Sequence, residues 1–484
     1  MTTERQAPLL ATLRPSDHPY LSGAWTPRHE EVDAEQLTVL EGAIPPEIDG
    51  VYLRNSENPL HQPLGRYHPF DGDGMIAAVR FEGGRASYRN RFIRTDCLMA
   101  EQEAGGSLWG GLADPPGVSR RPGFGAHGSL KDSASTDVVV HAGVGIATFY
   151  QCGAAWRFDP LTLETLGPAD WAPSDGVSAH AKVDPGTGEL LFFNYSKAAP
   201  YLHFGVVGPD QRLRDYRPVP LPGPRLPHDM AFTPHWAILN DMPMFWDAEL
   251  LKRDIHAIRL HEGIPSRFAL VPRGGGETRW FEAAPTYVLH WLNAFEDGGE
   301  VVLDGYFQEQ PTPPPLAGAP PGLAAMMAYL DAHSFRPKLH RWRFDLATGA
   351  TREERLTDDI LEFGVINPVR AGRPYRYGWS MLMTPGRFLF EGFAKTDLVT
   401  RETVEHRLAP GRYASEAPFI PRSGGRAEDN GWLVSLITDE DTGTSECLLL
   451  DAADIAAPPV CRLALPHKVP SGTHACWAEA RELR

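Results

Sequence analysis

The chain has 484 residues, of which 47 are glycine and 45 proline, about a fifth together; that excludes a helical bundle without reaching a low-complexity polymer. Hydrophobic residues at 42% and aromatics at 10% supply a large core, so wholesale disorder is excluded as well. With 46 basic against 62 acidic residues the formal charge is −16, and without a basic patch such a surface repels phosphate backbones, so nucleic acid is not an expected partner.

The N-terminal MTTERQAPLLATLRPSDHPY carries no apolar run of signal-peptide length, and nowhere do ~18 apolar residues follow one another, so no membrane-spanning helix is expected. The five cysteines are scattered and form no CxxC pair, which points to a reduced, cytoplasmic setting. Along the chain, segments rich in Val, Ile, Phe, Tyr and Trp alternate with Gly, Pro and Asp turns. They fall at 50–55, 77–95, 137–151, 188–196, 299–307, 340–356 and 431–451. FEGGRAS, VDPGTGELL and DLATGATRE read as hairpins outright. The expected class is all-β and mainly antiparallel, and at this length a propeller of several four-stranded blades fits better than a sandwich. No repeat of fixed period counts the blades. Two segments break the β rhythm. Residues 243–263 have helical apolar spacing, and 311–333 is a Pro-rich stretch followed by a short apolar helix. The two read as packed insertions, or as an apolar rim, 316–330 above all, that admits a hydrophobic substrate from a membrane or micelle.

Of 18 histidines, four sit beside a turn at the edge of an expected strand: His180 in SAHAKVDPGTGEL, His228 in LPHDMAFTPHW, His290 in YVLHWLNAFED and His474 in SGTHACW. Their separations of 48, 62 and 184 residues match no compact metal motif. Other motifs fail. FDGDGM (70–75) has Phe81 where a calcium loop needs its bidentate glutamate, RGGGE (273–277) lacks a phosphate loop's lysine, and no dinucleotide fingerprint precedes a βαβ unit.

The four histidine segments, with GVYLRNSENP (50–59), FDGDGM, YRNRFIRT (88–95), LEFGVINP (361–368), SEAPFIPR (415–422) and EDNGWL (428–433), resemble the carotenoid cleavage oxygenase family from about residue 40 to the C-terminus. That family also contains the stilbene-cleaving oxygenases and the retinoid isomerohydrolase. The resemblance implies a seven-bladed β-propeller at 40–484, with short helical insertions capping its top face and 1–39 as an N-terminal extension. It implies one Fe(II) per chain held by His180, His228, His290 and His474. Four neutral imidazoles suit Fe(II) and leave two octahedral positions open. In the family three glutamates orient those rings; Glu362 and Glu416 match two of them, whereas Gln151 stands at the third. A glutamine carbonyl can still accept an imidazole N–H, that of His228 being expected, but one negative charge is gone.

Two further residues bear on the substrate. Thr136 matches a family threonine close to the open iron positions. Tyr150 replaces the lysine with which stilbene-cleaving members bind a phenolic oxygen, and DCLMAE (96–101) lacks those members' second phenol-binding group. A tyrosine does not hold a phenolate as an ammonium does, which favours a polyene. The expected activity is therefore O2-dependent cleavage of a C=C bond of a carotenoid or apocarotenoid to two carbonyl products, by a cytoplasmic protein with peripheral membrane contact. The alternatives are cleavage of a stilbene or phenylpropenoid to aromatic aldehydes, and a non-catalytic propeller that binds a ligand.

Overall fold

The computed structural model describes residues 2–124, 130–251, 258–318 and 324–483. The chain sorts into two units, one comprising Met1–Ala179, Val207–Leu213 and Leu408–Arg484, the other His180–Val206 and Arg214–Arg407. Both are built from antiparallel sheets with only short helices, so the class is all-β.

The first unit contains three sheets. One has six strands in the order Thr3–Arg5, Val32–Ala34, Arg85–Phe92, Asp73–Glu82, Gly50–Asn58, Ala475–Glu479. Residues 1–39 thus contribute the two strands at one edge. A second runs through Asp137–His141, Val144–Thr148, Trp156–Phe158 and Thr165–Pro168. The third contains Gly431–Asp439, Thr444–Asp451 and Cys461–Ala464, the last paired with Thr38–Gly42. The hairpin read in FEGGRAS forms with Glu82 opposite Arg85. Gly83 and Gly84 sit at φ +55° and +74°, the backbone a two-residue turn of this hand demands. Strict alternation along Arg85–Phe92 sends Ala86, Tyr88, Asn90 and Phe92 inward. Tyr88 there joins Tyr52, Phe81, Trp432 and Leu449 in one apolar core.

In the second unit, four-stranded sheets follow one another. The first is Lys182–Val183, Leu190–Tyr195, Leu202–Val207 and Leu213–Pro218, its hairpin tip counted with the other unit. The next is Ala231–Phe232, Trp236–Asp241, Ser266–Pro272 and Arg279–Ala283. Then come Trp291–Asp297, Glu300–Gln308, Pro337–Asp345 and the long strand Thr351–Val365, whose second half pairs on to Tyr377–Met383. Phe268, Trp291, Trp342 and Phe344 interlock between these sheets, with Trp291 edge-on to Trp342 at 5.5 Å.

The helix expected over 243–263 is not formed. Strands Met244–Trp246 and Ile258–Leu260 pair antiparallel, with only a short helix at Ala248–Leu251; residues 252–257 lie outside the described chain. The reason is packing. Trp246 is buried, and Phe245 is sandwiched between the Arg225 guanidinium and the His261 ring, both 3.8 Å away. The apolar helix expected after the Pro-rich stretch exists as Ala324–Ala328, with 319–323 outside the described residues. Its Met327 and the following Leu330 are buried, whereas Tyr329 is exposed. All five cysteines are free thiols, and no described helix is long and apolar enough to cross a membrane.

Candidate metal centre

The four histidines share one local construction. His180 stands two residues ahead of Lys182–Val183, His228 three ahead of Ala231–Phe232, and His290 and His474 directly ahead of Trp291–Asp297 and Ala475–Glu479. Each of those strands is the terminal strand of its sheet. The side chain therefore leaves the backbone where the ladder begins and the sheet's own neighbours end.

Three of these rings meet within the second unit. His180 lies 4.8 Å from His228 and 5.0 Å from His290, centroid to centroid, and His228 lies 5.2 Å from His290. The Nε2 atoms of His180 and His228 are 3.2 Å apart, and ring nitrogens of His180 and His290 approach within 4.8 Å. The His290 Nδ1–H donates to Glu362 Oε2 at 2.6 Å, and the Phe363 N–H reaches the same oxygen at 2.7 Å. Glu362 is fully buried. This bond holds the proton on Nδ1, so that Nε2 of His290 carries the lone pair a metal would take. His180 and Phe363 adopt left-handed backbone at φ +67° and +52°, which non-glycine residues take only where surrounding structure enforces it.

Asp229, which follows His228, ties the three histidine-bearing segments together. Its Oδ1 pairs with Lys182 Nζ at 2.8 Å and accepts the Met230 N–H at 2.7 Å, while Oδ2 accepts the Trp291 N–H at 2.9 Å. Asp229 is buried, and its partners flank His180, His228 and His290 in sequence.

The first unit carries the remaining residues singled out in the sequence. The His474 Nδ1–H donates to Glu416 Oε2 at 3.3 Å, and the Ala475 N–H donates to the same oxygen at 2.6 Å. Thr136 is a junction. Its hydroxyl accepts the Tyr150 N–H at 3.2 Å, and its carbonyl accepts the Thr473 hydroxyl at 2.6 Å and the His474 N–H at 3.4 Å. Tyr150 lies edge-on to Phe70 and Phe149, at 6.1 and 5.2 Å. Gln151 is buried, and its carbonyl oxygen has no hydrogen-bond partner among the described residues, so the imidazole N–H expected from His228 is not on it.

Sequence reasoning missed two acidic residues. Asp229 was visible only as the neighbour of His228 in LPHDM. Glu57 lay unnoticed in NSENP. It is buried, and neither carboxylate oxygen has a hydrogen-bond partner among the described residues. Burial pushes its carboxyl up to about 8, opposed by the nearby His474, Thr473 and Arg54.

A donor set of imidazoles, three of them buried and two with Nδ1 tied to a carboxylate, suits a borderline divalent metal such as iron and not calcium or magnesium, which take oxygen ligands. Known proteins are similar to this chain over most of its length. The family model described as retinal pigment epithelial membrane protein matches residues 25–479. An apocarotenoid-15,15'-oxygenase of Synechocystis is 30% identical over 97% of this chain and 99% of its own length. A lignostilbene-alpha,beta-dioxygenase isozyme III of Sphingomonas paucimobilis is 30% identical over 96% and 97%. The crystal structure of cobalt-substituted Synechocystis apocarotenoid oxygenase superposes with a TM-score of 0.79 at 28% identity, covering 93% of this chain and 96% of the other.

Proposed function

The chain belongs to the carotenoid cleavage oxygenase family, the one that includes the retinal pigment epithelial membrane protein, and from that premise we propose that it is a non-haem Fe(II) dioxygenase cleaving a C=C bond of a carotenoid or apocarotenoid to two carbonyl products with O2. The observation that carries the reading is the meeting of His180, His228 and His290, with the His290 proton held by Glu362. These three and His474 would hold the iron. When bound, it supplies open coordination positions and reducing electrons for dioxygen chemistry.

The protein's own residues do the rest. Glu362 and Glu416 each take an imidazole Nδ1–H, so the opposite nitrogen of His290 and of His474 is presented as a lone pair. Thr136 fixes the His474 backbone and the start of the Tyr150–Gln151 turn. Tyr150, with Phe70 and Phe149, offers ring faces and edges to an extended polyene and keeps water from it. In the same reading, 40–484 is a seven-bladed propeller domain preceded by the 1–39 extension and capped by short helical insertions. It works in the cytoplasm, with peripheral membrane contact for loading. The succession of four-stranded antiparallel sheets supports the propeller.

A second reading, cleavage of a stilbene or phenylpropenoid, draws on the equal 30% identity to the lignostilbene dioxygenase. Tyr150 in place of a lysine speaks against it. The test is a metal determination on the purified protein together with turnover of an apocarotenal and of a 4-hydroxystilbene. The proposal expects one iron per chain and two carbonyl fragments from the apocarotenal, with His180→Ala or His290→Ala losing both iron and turnover. Cleavage of the hydroxystilbene alone would select the second reading; iron-free, inactive protein would leave a ligand-binding propeller.

A further inference from the structure

Within the first unit, the strand Gly50–Asn58 runs antiparallel to Ala475–Glu479, with Arg54 opposite Ala475. The pairing continues past the strand's end. The Asn55 N–H donates to the His474 carbonyl at 2.9 Å, and Gly472 lies so close that a Cβ there would stand 2.7 Å from the Asn55 carbonyl oxygen. Glu57 is therefore carried past the His474 loop by backbone register, which leaves it little freedom to move away.

Its side chain is 3% exposed, and neither carboxylate oxygen has a hydrogen-bond partner among the described residues. No basic side chain is ion-paired with it among those residues either. Arg54, on the same strand, directs its guanidinium to Ser415 Oγ at 3.1 Å and the Pro470 carbonyl at 2.6 Å. Buried carboxylates are retained where a cation, a metal or a set of donors answers them. The second observation is its counterpart. Gln151, at the position where the resemblance places a glutamate, is equally buried and brings no charge. One carboxylate is missing where the family pattern has it, and one is present, unanswered, beside a histidine of the proposed iron site.

We propose that Glu57 is a positioning residue that supplies the third negative charge of the iron site from the His474 side, replacing the charge absent at Gln151. The inference rests on the iron assignment made above: without metal, burial favours the protonated carboxyl, and a 2+ ion bound beside it would favour the carboxylate. A fixed anion close to a ligand raises the electron density of that ligand and favours the more highly charged ferric ion. The charge need not stand at one particular position to do this; it needs a short path through low dielectric.

The test uses the full-length protein as wild type, Glu57→Gln, Glu57→Asp, Gln151→Glu, and the double variant carrying Glu57→Gln with Gln151→Glu. Each is loaded anaerobically with Fe(II). Iron affinity is read by competition with a chromophoric chelator, and the Fe(III)/Fe(II) midpoint by redox titration. Glu57→Gln is expected to weaken iron retention by about 10–100-fold and to raise the midpoint. Its iron-free melting temperature should be unchanged, because burial already favours the neutral carboxyl without metal and the amide has the same shape; loss of iron without loss of stability is what a merely structural residue would not produce. Glu57→Asp should stay close to wild type, and the double variant should regain most of the affinity. Wild-type iron retention in Glu57→Gln, or a double variant no better than Glu57→Gln alone, overturns the inference while leaving the iron site standing. A wild-type protein that retains no iron overturns both.

Discussion

Asp229 commits both carboxylate oxygens to the chain that carries the histidines: Lys182 and the Met230 N–H on Oδ1, the Trp291 N–H on Oδ2. An asparagine there presents one acceptor and one donor, so a buried N–H or the Lys182 ammonium meets an amide nitrogen instead of an oxygen. Leaving one such donor unanswered costs about 1–3 kcal/mol, and the Lys182 share falls at the low end because that side chain is partly in water. Asp229→Asn should therefore lower the urea midpoint and release iron about 10-fold more readily, the lower bound for a lost ligand support. Unchanged chelator competition in this variant would remove Asp229 from the site. At the same scale, Glu362 differs from Gln151 in more than charge. The first holds an imidazole and a backbone N–H on one oxygen, whereas the second has an oxygen with no partner among the described residues.

Strands and their turns set where these residues stand, and Asp132 anchors the turn that contains Gln151. Its Oδ2 accepts the Ala154 N–H at 2.7 Å and the Trp156 indole N–H at 2.9 Å, and Cys152, which follows Gln151, takes left-handed backbone at φ +65°. Burial pushes the Asp132 carboxyl up from 3.8 to about 6, against the pull of those two donors. A folded-state value above the unfolded one means that folding is favoured below pH 3.8 and that this contribution fades as pH rises through 6. Asp132→Asn, which keeps an acceptor without the charge, should raise stability above pH 6 by roughly 1–3 kcal/mol and leave it unchanged near pH 3.5. Urea unfolding at the two pH values checks this; an equal effect at both would mean the substitution acts through packing alone. The segment 243–263 teaches the complementary lesson about elements. Its apolar spacing suits a helix, yet pairing Met244–Trp246 with Ile258–Leu260 buries Trp246 and sandwiches Phe245, and the tertiary contacts override the period.

For the whole chain, iron that binds the folded and not the unfolded state stabilises by mass action, about 2.7 kcal/mol at a hundredfold excess over the dissociation constant. With the unfolding entropy of a chain this long, removal of iron by a chelator should lower the melting temperature on the order of 3 °C, and Fe(II) added back without oxygen should restore it. Differential scanning calorimetry decides this; no shift in either direction would mean that the histidines hold no metal in solution. The acidic balance of −16 and the recurring strand-and-turn signals belong to the sequence by itself, as do the hairpins at FEGGRAS, VDPGTGELL and DLATGATRE, because period-two alternation and glycine turns are local properties of a few residues. The four histidines at strand starts and the matches to Glu362 and Glu416 were legible in the same way, through motifs a dozen residues long. Only the tertiary structure decided the rest. That Asp229 joins segments 62 residues apart, that Glu57 runs past His474, and that 1–39 adds strands to a sheet closed off by Ala475–Glu479 all depend on which strands pair. Pairing between distant segments is selected by the burial of whole sheet faces, a sum over many side chains that no single motif carries.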